Sequence, residues 1–272
     1  MNTRAVFFPF DLFGSPGTRA GAELLADAFE ELLADNRRER VATRARAYTE
    51  QVRVEEFTFA SLDDYRDWRE SGRKCIRGIL ERGDFLLWIA GNHLGALPLY
   101  DELAGERTLV IQLDAHLDIF NLRDCTRELS HGNFLLHAEK PLPRIVNVGH
   151  RELLLRPDYI KKHYHASIPA ALLATDGAAA IATLRELIAG ADRIFVDVDC
   201  DVFDPTFFPA VHDARPFGLE PRWLLTLLDL IGPARLAGLA ISEFEPGRDS
   251  DARCLETLMW LIEYVLLLKH ES

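Results

Sequence analysis

Ile111-Gln112-Leu113-Asp114-Ala115-His116-Leu117-Asp118 and Phe195-Val196-Asp197-Val198-Asp199-Cys200-Asp201-Val202-Phe203-Asp204-Pro205 each run from an apolar stretch straight into a group of acids. The apolar parts are too short for a core helix and are not alternating, which is the pattern of strands buried on both faces. Further runs of this kind lie at Ala5–Phe10, Phe85–Ala90, Thr108–Leu113, Arg144–Val148, Arg193–Val198 and Leu236–Ile241. Amphipathic, helix-length stretches separate them: Gly21–Ala34, Ala96–Leu103, Ala178–Leu187, Arg222–Leu230 and, last, Leu255–Leu268. Strand and helix in alternation predict an α/β fold, a three-layer αβα sandwich around a mainly parallel sheet. Asp35–Glu56 is more charged and reads as a helix followed by an extended surface segment. Pro205–Pro221, rich in Pro, Phe and Gly, reads as an ordered loop of the length that often carries function.

In a parallel α/β sheet the C-terminal strand edge is where ligands bind. Both acidic groups fall there. In extended chain, residues i, i+2 and i+4 share a face, so Asp114, His116 and Asp118 are expected to converge, as are Asp199 and Asp201. Carboxylates at such range repel one another unless a cation neutralises them. Asp and His donors without thiolate suit manganese and related ions better than structural zinc. Five such groups are too many for one simple site, and two bridged ions account for them. The plainer reading, Asp as a turn or helix cap, holds best for Asp204-Pro205.

The rest of the composition bounds the function. With 272 residues, 48% of them hydrophobic, the chain suits one large domain spanning 1–272. The net charge of −12 argues against nonspecific binding to nucleic acid or an anionic membrane. Cys75, Cys125, Cys200 and Cys254 are scattered and give neither a disulfide framework nor a zinc-finger spacing. No transmembrane run is visible. Met1–Arg19 lacks a basic start followed by an apolar run of signal-peptide length, so a cytoplasmic protein is expected.

Taken in order, six motifs resemble those of the ureohydrolase family of arginases and agmatinases. Pro9-Phe10-Asp11 with Gly17–Glu23 resembles its N-terminal strand and glycine-rich loop, and Ala90-Gly91-Asn92-His93 its Gly-Gly-Asp-His motif. Asp114-Ala115-His116-Leu117-Asp118 matches Asp-Ala-His-x-Asp, and His131-Gly132 the His-Gly pair that follows. Asp199-Cys200-Asp201-Val202-Phe203-Asp204-Pro205 matches Asp-x-Asp-x-x-Asp-Pro, and Glu243-Phe244-Glu245-Pro246 the late Glu-x-x-Pro. The resemblance implies an arginase-like metallohydrolase with two manganese ions. One would be held by His93, Asp114, Asp118 and Asp199, the other by His116, Asp114, Asp199 and Asp201, with Asp114 and Asp199 bridging. It further implies that Asp118 accepts a hydrogen bond from a bridging hydroxide, that His131 is a proton shuttle, and that Glu243 pairs with a guanidinium. The chemistry needs these types: the guanidinium is a poor electrophile, two metals supply hydroxide near neutral pH, and a histidine can protonate the departing amine.

Departures from the family pattern carry the substrate reading. Asn92 replaces an Asp before the first metal histidine, and Asp197 stands where a Ser is usual. Aligned without a gap, the loop that would receive an amino acid's α-carboxylate carries Phe120 and Arg127. The turn that would reach its α-amino group reads Gly149-His150-Arg151-Glu152, with Leu154 at the later acidic position, and Asp213 replaces a Thr near the guanidinium. A kept core with a rewritten far end fits arginine within a peptide, converted to ornithine and urea as by the divergent peptide arginases. The alternative is a small guanidine, as for an arginase, agmatinase or guanidino-acid hydrolase. A one-zinc deacetylase of related fold would need a His-His pair, which is absent, and a degenerate binding scaffold would have lost ligands. Family members often assemble as trimers or hexamers, so a homo-oligomer is compatible with the resemblance.

Overall fold

In the computed structural model, which describes residues 2–103 and 107–271, all six apolar runs contribute strands. These are β1 (Thr3–Phe8), β3 (Phe85–Ala90), β4 (Thr108–Leu113), β5 (Arg144–Val148), β7 (Arg193–Asp199) and β8 (Leu236–Ser242). Two further strands, β2 (Val52–Glu56) and β6 (Ala166–Ile168), form the sheet's edges. The order is β2-β1-β3-β8-β7-β4-β5-β6, and every pairing is parallel. β1 stops at Phe8 rather than running to Phe10, because Pro9 has no N–H to donate to the ladder.

Alternate strand residues feed two cores. Ala5, Phe7, Leu87, Ile111 and Val196 pack with Phe29 of α1 (Thr18–Arg38), Leu184 of α7 (Gly177–Ala189), Leu228 of α8 (Arg222–Ile231) and Leu258 of α9 (Arg253–His270). Val6, Phe8, Trp88 and Val110 face the other way, onto Ile76 and Ile79 of α3 (Trp68–Arg82) and Leu97 and Tyr100 of α4 (Leu97–Glu102). The period of two along each strand thus produces the three layers that the apolar runs predict. Three short helices complete the set: α2 (Leu62–Arg66), α5 (Pro157–Ile160) and α6 (Ala170–Thr175). Among the described residues no helix is long and apolar enough to cross a membrane.

The topology fixes where a site can form. From β3 the chain crosses to β4, and β7 and β8 later fill the gap, so β3, β8, β7 and β4 lie side by side. Each of these four strands ends in one of the motifs singled out above.

Candidate metal centre

The end of β3 delivers His93. Gly91 packs so tightly that a Cβ there would lie 2.3 Å from the Phe10 carbonyl oxygen, which requires glycine. His93 opens a 3-10 turn, His93–Ala96, and its ring is buried. Nε2 lies 2.9 Å from Asp197 Oδ2, which also accepts the Tyr100 hydroxyl at 2.6 Å. With Nε2–H given to Asp197, the neutral ring keeps its lone pair on Nδ1. Nδ1 faces Asp118 Oδ2 at 2.8 Å, Asp199 Oδ2 at 3.2 Å and Asp114 Oδ2 at 3.3 Å.

His116 organises the second half. Its Nδ1 lies 2.9 Å from Asp201 Oδ2 and 3.7 Å from Asp114 Oδ1, while Nε2 lies 3.3 Å from Asp213 Oδ2. Backbone amides fix the acids: His116 N donates to Asp114 Oδ1 (2.6 Å), Asp201 N to Asp199 Oδ1 (3.0 Å) and Ala115 N to Asp201 Oδ1 (3.2 Å). Arg151 donates to the Val202 carbonyl at 2.9 Å and to the Asp201 carbonyl, so this arginine braces the turn that carries Asp201. Convergence is not achieved by extended chain as the spacing predicts. β4 ends at Leu113, Asp118 sits in a turn at φ 49°, and Asp201 lies on the 3-10 turn Cys200–Val202. The physical reason is reach: a strand would carry Asp118 away from the sheet edge, and the turn brings it back to His93.

Two triads therefore share Asp114. In each, His93-Asp114-Asp118 and Asp114-His116-Asp201, one donor atom per residue lies within 4.8 Å of the others. His93 Nδ1, Asp114 Oδ2 and Asp118 Oδ2 are buried and lack hydrogen-bond partners, though they face one another at 2.8–3.3 Å. A buried orphan of this kind costs about 1–3 kcal/mol unless something satisfies it. Burial and the neighbouring Asp118 push the Asp114 carboxyl up to about 7, and burial with Asp201 and Asp114 pushes Asp199 well above the carboxylate range. Burial opposes charge on His116, yet Asp201, Asp213 and Asp114 push it up to about 12. Protons here stand in for positive charge that the donors require, and the oxygen-rich set with two imidazoles fits divalent ions of the manganese class.

Above this floor lies a cavity of about 430 Å³, walled by His116, Asp118, Phe120, His131, Asp213 and Glu243 among others. Glu243 follows β8, is buried, and adopts φ 64°; its Oε1 accepts His93 N at 2.9 Å and lies 3.4 Å from His131 Nδ1. That contact raises the His131 pKa against the effect of burial. Asp118 and Glu243 are both non-glycine residues in the left-handed region, a strain of about 1–3 kcal/mol each that clusters at functional sites. Asp213 lines the cavity, and its Oδ2 also accepts Arg215 Nε and Nη2 at 2.9 and 2.7 Å. Phe120 lines both this cavity and an adjoining groove of about 530 Å³ beside Phe13 and Thr126.

One residue does not lie where the sequence predicts, and two others have local roles. Arg127 is exposed and lines neither space, because the loop over residues 120–130 turns repeatedly and a gapless alignment does not preserve its register. Asn92 does not touch the His93 ring; its Nδ2 donates to the Leu12 carbonyl at 3.0 Å and secures the loop after β1. Asp204 caps its own loop, in line with the turn-cap reading, accepting Thr206 N at 3.0 Å and Gly218 N at 3.1 Å. Sequence reasoning missed Arg215 and His212 on the cavity wall and Tyr100 beneath His93.

Both the sequence and the fold have relatives among known proteins. Over 187 residues, 65% of this chain and 59% of the relative, the sequence is 29% identical to the proclavaminate amidinohydrolase of Streptomyces clavuligerus. Over 163 residues, 58% of this chain, it is 25% identical to a formimidoylglutamase of Halobacterium salinarum. These matches span 59% and 52% of those two relatives, little more than half of each. The fold superposes on an arginase from Bacillus subtilis with a TM-score of 0.78 at 20% identity, covering 98% of both chains. It superposes on a hypothetical agmatinase from Burkholderia thailandensis at 0.77 and 21% identity, covering 100% of this chain and 87% of that one. The sequence model of the arginase family matches residues 4–267, and the chain belongs to that family.

Proposed function

We propose that this chain hydrolyses a guanidino group with two divalent metal ions, manganese in the first instance, and that the group belongs to an arginine within a peptide. The products are ornithine in the peptide and urea. The observation that carries the hydrolase reading is the pair of triads sharing Asp114, with buried donor atoms that no protein partner satisfies. In this reading residues 1–272 act as one metallohydrolase domain, His93, Asp114, Asp118 and Asp199 hold one ion, and His116, Asp114, Asp199 and Asp201 hold the other.

When bound, the ions supply a nucleophile from water near neutral pH and neutralise the acids. The chain's own groups do the rest. Asp118 accepts a hydrogen bond from the attacking water. Glu243, with Oε1 held by His93 N, orients the guanidinium, and Asp213 adds negative charge on the wall facing the incoming cation. Water's oxygen bonds to the guanidino carbon, and the C–N bond breaks with its electron pair going to the side-chain nitrogen. His131, whose charged form Glu243 favours, gives that nitrogen a proton, and the protons lost from the water's oxygen as urea forms pass to solvent and restore the charged His131.

The peptide reading is supported by what surrounds the cavity. Among the described residues seven of eleven exposed large apolar side chains, including Phe13, Leu122, Leu153, Leu154 and Phe217, lie on loops after β1, β4, β5 and β7. That concentration on the cavity's side of the sheet is more than a small polar substrate needs. Phe120 and the adjoining groove extend the apolar surface from the cavity mouth. One observation favours a small substrate instead: Arg215 on the cavity wall could receive the carboxylate of a guanidino acid. A competition between an arginine-containing peptide, free arginine, agmatine and a guanidino acid, read by mass spectrometry as loss of CN2H2, separates the two. The peptide is expected to win; a wide margin for any small guanidine over a range of peptide sequences would replace the peptide reading with the small-molecule one.

A further inference from the structure

Both histidines of the centre have a carboxylate on the nitrogen that faces away from the other ligands. For His93 it is Asp197, 2.9 Å from Nε2; for His116 it is Asp213, 3.3 Å from Nε2. The two carboxylates live in different surroundings. Asp197 is fully buried in mid-sheet, its Oδ2 takes the Tyr100 hydroxyl at 2.6 Å, and its Oδ1 has no partner. Among the described residues no arginine or lysine pairs with Asp197, and its register partner on β4, Gln112, likewise has a buried Nε2 without a partner. Asp213 is half exposed and tied to the Arg215 guanidinium by two bonds, at 2.9 and 2.7 Å.

A carboxylate behind a ligand histidine fixes the ring's orientation and makes the coordinating nitrogen a better donor. The size of that effect depends on how much of the carboxylate's charge reaches the ring. Water and Arg215 screen and offset Asp213, whereas nothing comparable screens Asp197. We infer that Asp197, steadied by Tyr100, is a positioning residue for His93 and makes the His93 side the tighter of the two metal sites, with Asp213 doing the same more weakly for His116. The inference rests on the two-metal reading above.

The test is a manganese(II) titration of the metal-free full-length protein, with free ion counted by electron paramagnetic resonance. Wild type should show two affinity classes. His93→Ala should remove the tighter class and His116→Ala the weaker one. Asp197→Asn, which keeps the size and an acceptor oxygen but loses the charge, should weaken the tighter class by about 10–100-fold and leave the other within a few-fold. Tyr100→Phe should weaken the same class by less, and Asp213→Asn should act on the weaker class. Circular dichroism and the melting midpoint of the metal-free variants separate this from unfolding; should Asp197→Asn fail to fold, Tyr100→Phe, which retains the carboxylate, decides. An unchanged tighter class in the folded variant, an equal loss at both sites, or loss of the tighter class in His116→Ala overturns the inference. Binding of one manganese at most by wild type overturns the two-metal reading instead.

Discussion

At the floor of the cavity, Asp114, Asp199 and His93 are buried at the ends of central strands and their backbones are fixed by ladder and turn bonds. On the loops leaving the same sheet edge, here called the rim, Phe13, Leu153 and Phe217 are 62%, 95% and 85% exposed, and Phe13 lines the groove beside the cavity. The floor sets a charge pattern that tolerates little movement, since the donor atoms are already within 4.8 Å of one another. The rim sets apolar surface, which depends on area and not on angle. If the proposed peptide docks on that apolar surface, chemistry and substrate choice rest on different interactions, and they can be broken separately.

The largest expected effect is at the floor. Asp199→Ala removes a carboxylate that reaches His93 Nδ1 at 3.2 Å and whose other oxygen is bonded to Asp201 N. Turnover should fall by more than about three orders of magnitude, equivalent to roughly 4 kcal/mol of lost transition-state stabilisation. Elemental analysis of the manganese-reconstituted variant should show less than the full complement. Near-wild-type metal content with full activity would remove Asp199 from the centre.

His131 stands between the two regions, since its side chain is 43% exposed but lies 3.4 Å from the buried Glu243 carboxylate. His131→Ala should lower turnover by roughly two orders of magnitude, the scale of losing an acid–base group, at unchanged metal content and melting midpoint. The Glu243 carboxylate favours the charged ring, so the His131 pKa lies above its ordinary value of 6.5. Glu243→Gln removes that charge. The NMR titration midpoint of His131 should then fall, leaving less of the ring protonated at neutral pH. A midpoint that does not move on this substitution would show that Glu243 does not control His131.

Floor and rim also differ in how far the sequence shows them. Asp114, His116, Asp199 and Asp201 follow directly on apolar runs, so finding the strands finds the proposed ligands. The exact route of Asp118 was hidden, because a left-handed turn leaves no mark in an Asp. Partners remote in sequence were hidden too: Tyr100 meets Asp197 across a separation of 97 residues, a contact that only the crossing of α4 over the sheet creates. α3 escaped because its buried face is only Trp68, Gly72, Ile76 and Ile79 among charged residues. β2, the end of Asp35–Glu56, was legible only as an extended surface segment, because an edge strand with one buried residue has neither the continuous run nor the alternation that marks a strand. The rim fared worst. Arg127 was placed by counting along a loop, and loops do not keep count, whereas Arg215, two residues beyond Asp213, became visible only when the ion pair closed against the cavity wall.

The smallest expected effect tests whether the rim contributes to substrate choice at all. Phe217 is 85% exposed and held at φ 61°, and Phe13 is 62% exposed at φ 57°. Side chains this open add little to folding, so Phe217→Asn and Phe13→Asn should leave the melting midpoint nearly unchanged; Asn also tolerates the left-handed backbone. If a peptide docks across the rim, each ring would cover about 40 Å² of apolar surface on binding, worth roughly 1 kcal/mol. That corresponds to a drop of about fivefold in kcat/KM for the peptide, expressed in KM because the contact is remote from the reacting carbon and is made equally before and at the transition state. A small guanidine reaches only the floor and should be hydrolysed by both variants as by wild type. The informative quantity is the ratio of the two substrates within each variant, since a general disturbance of the loops would lower both. An unchanged ratio in the Phe13→Asn, Phe217→Asn double variant would mean that the rim is not read by the substrate, and the exposed apolar loops would then need a different partner.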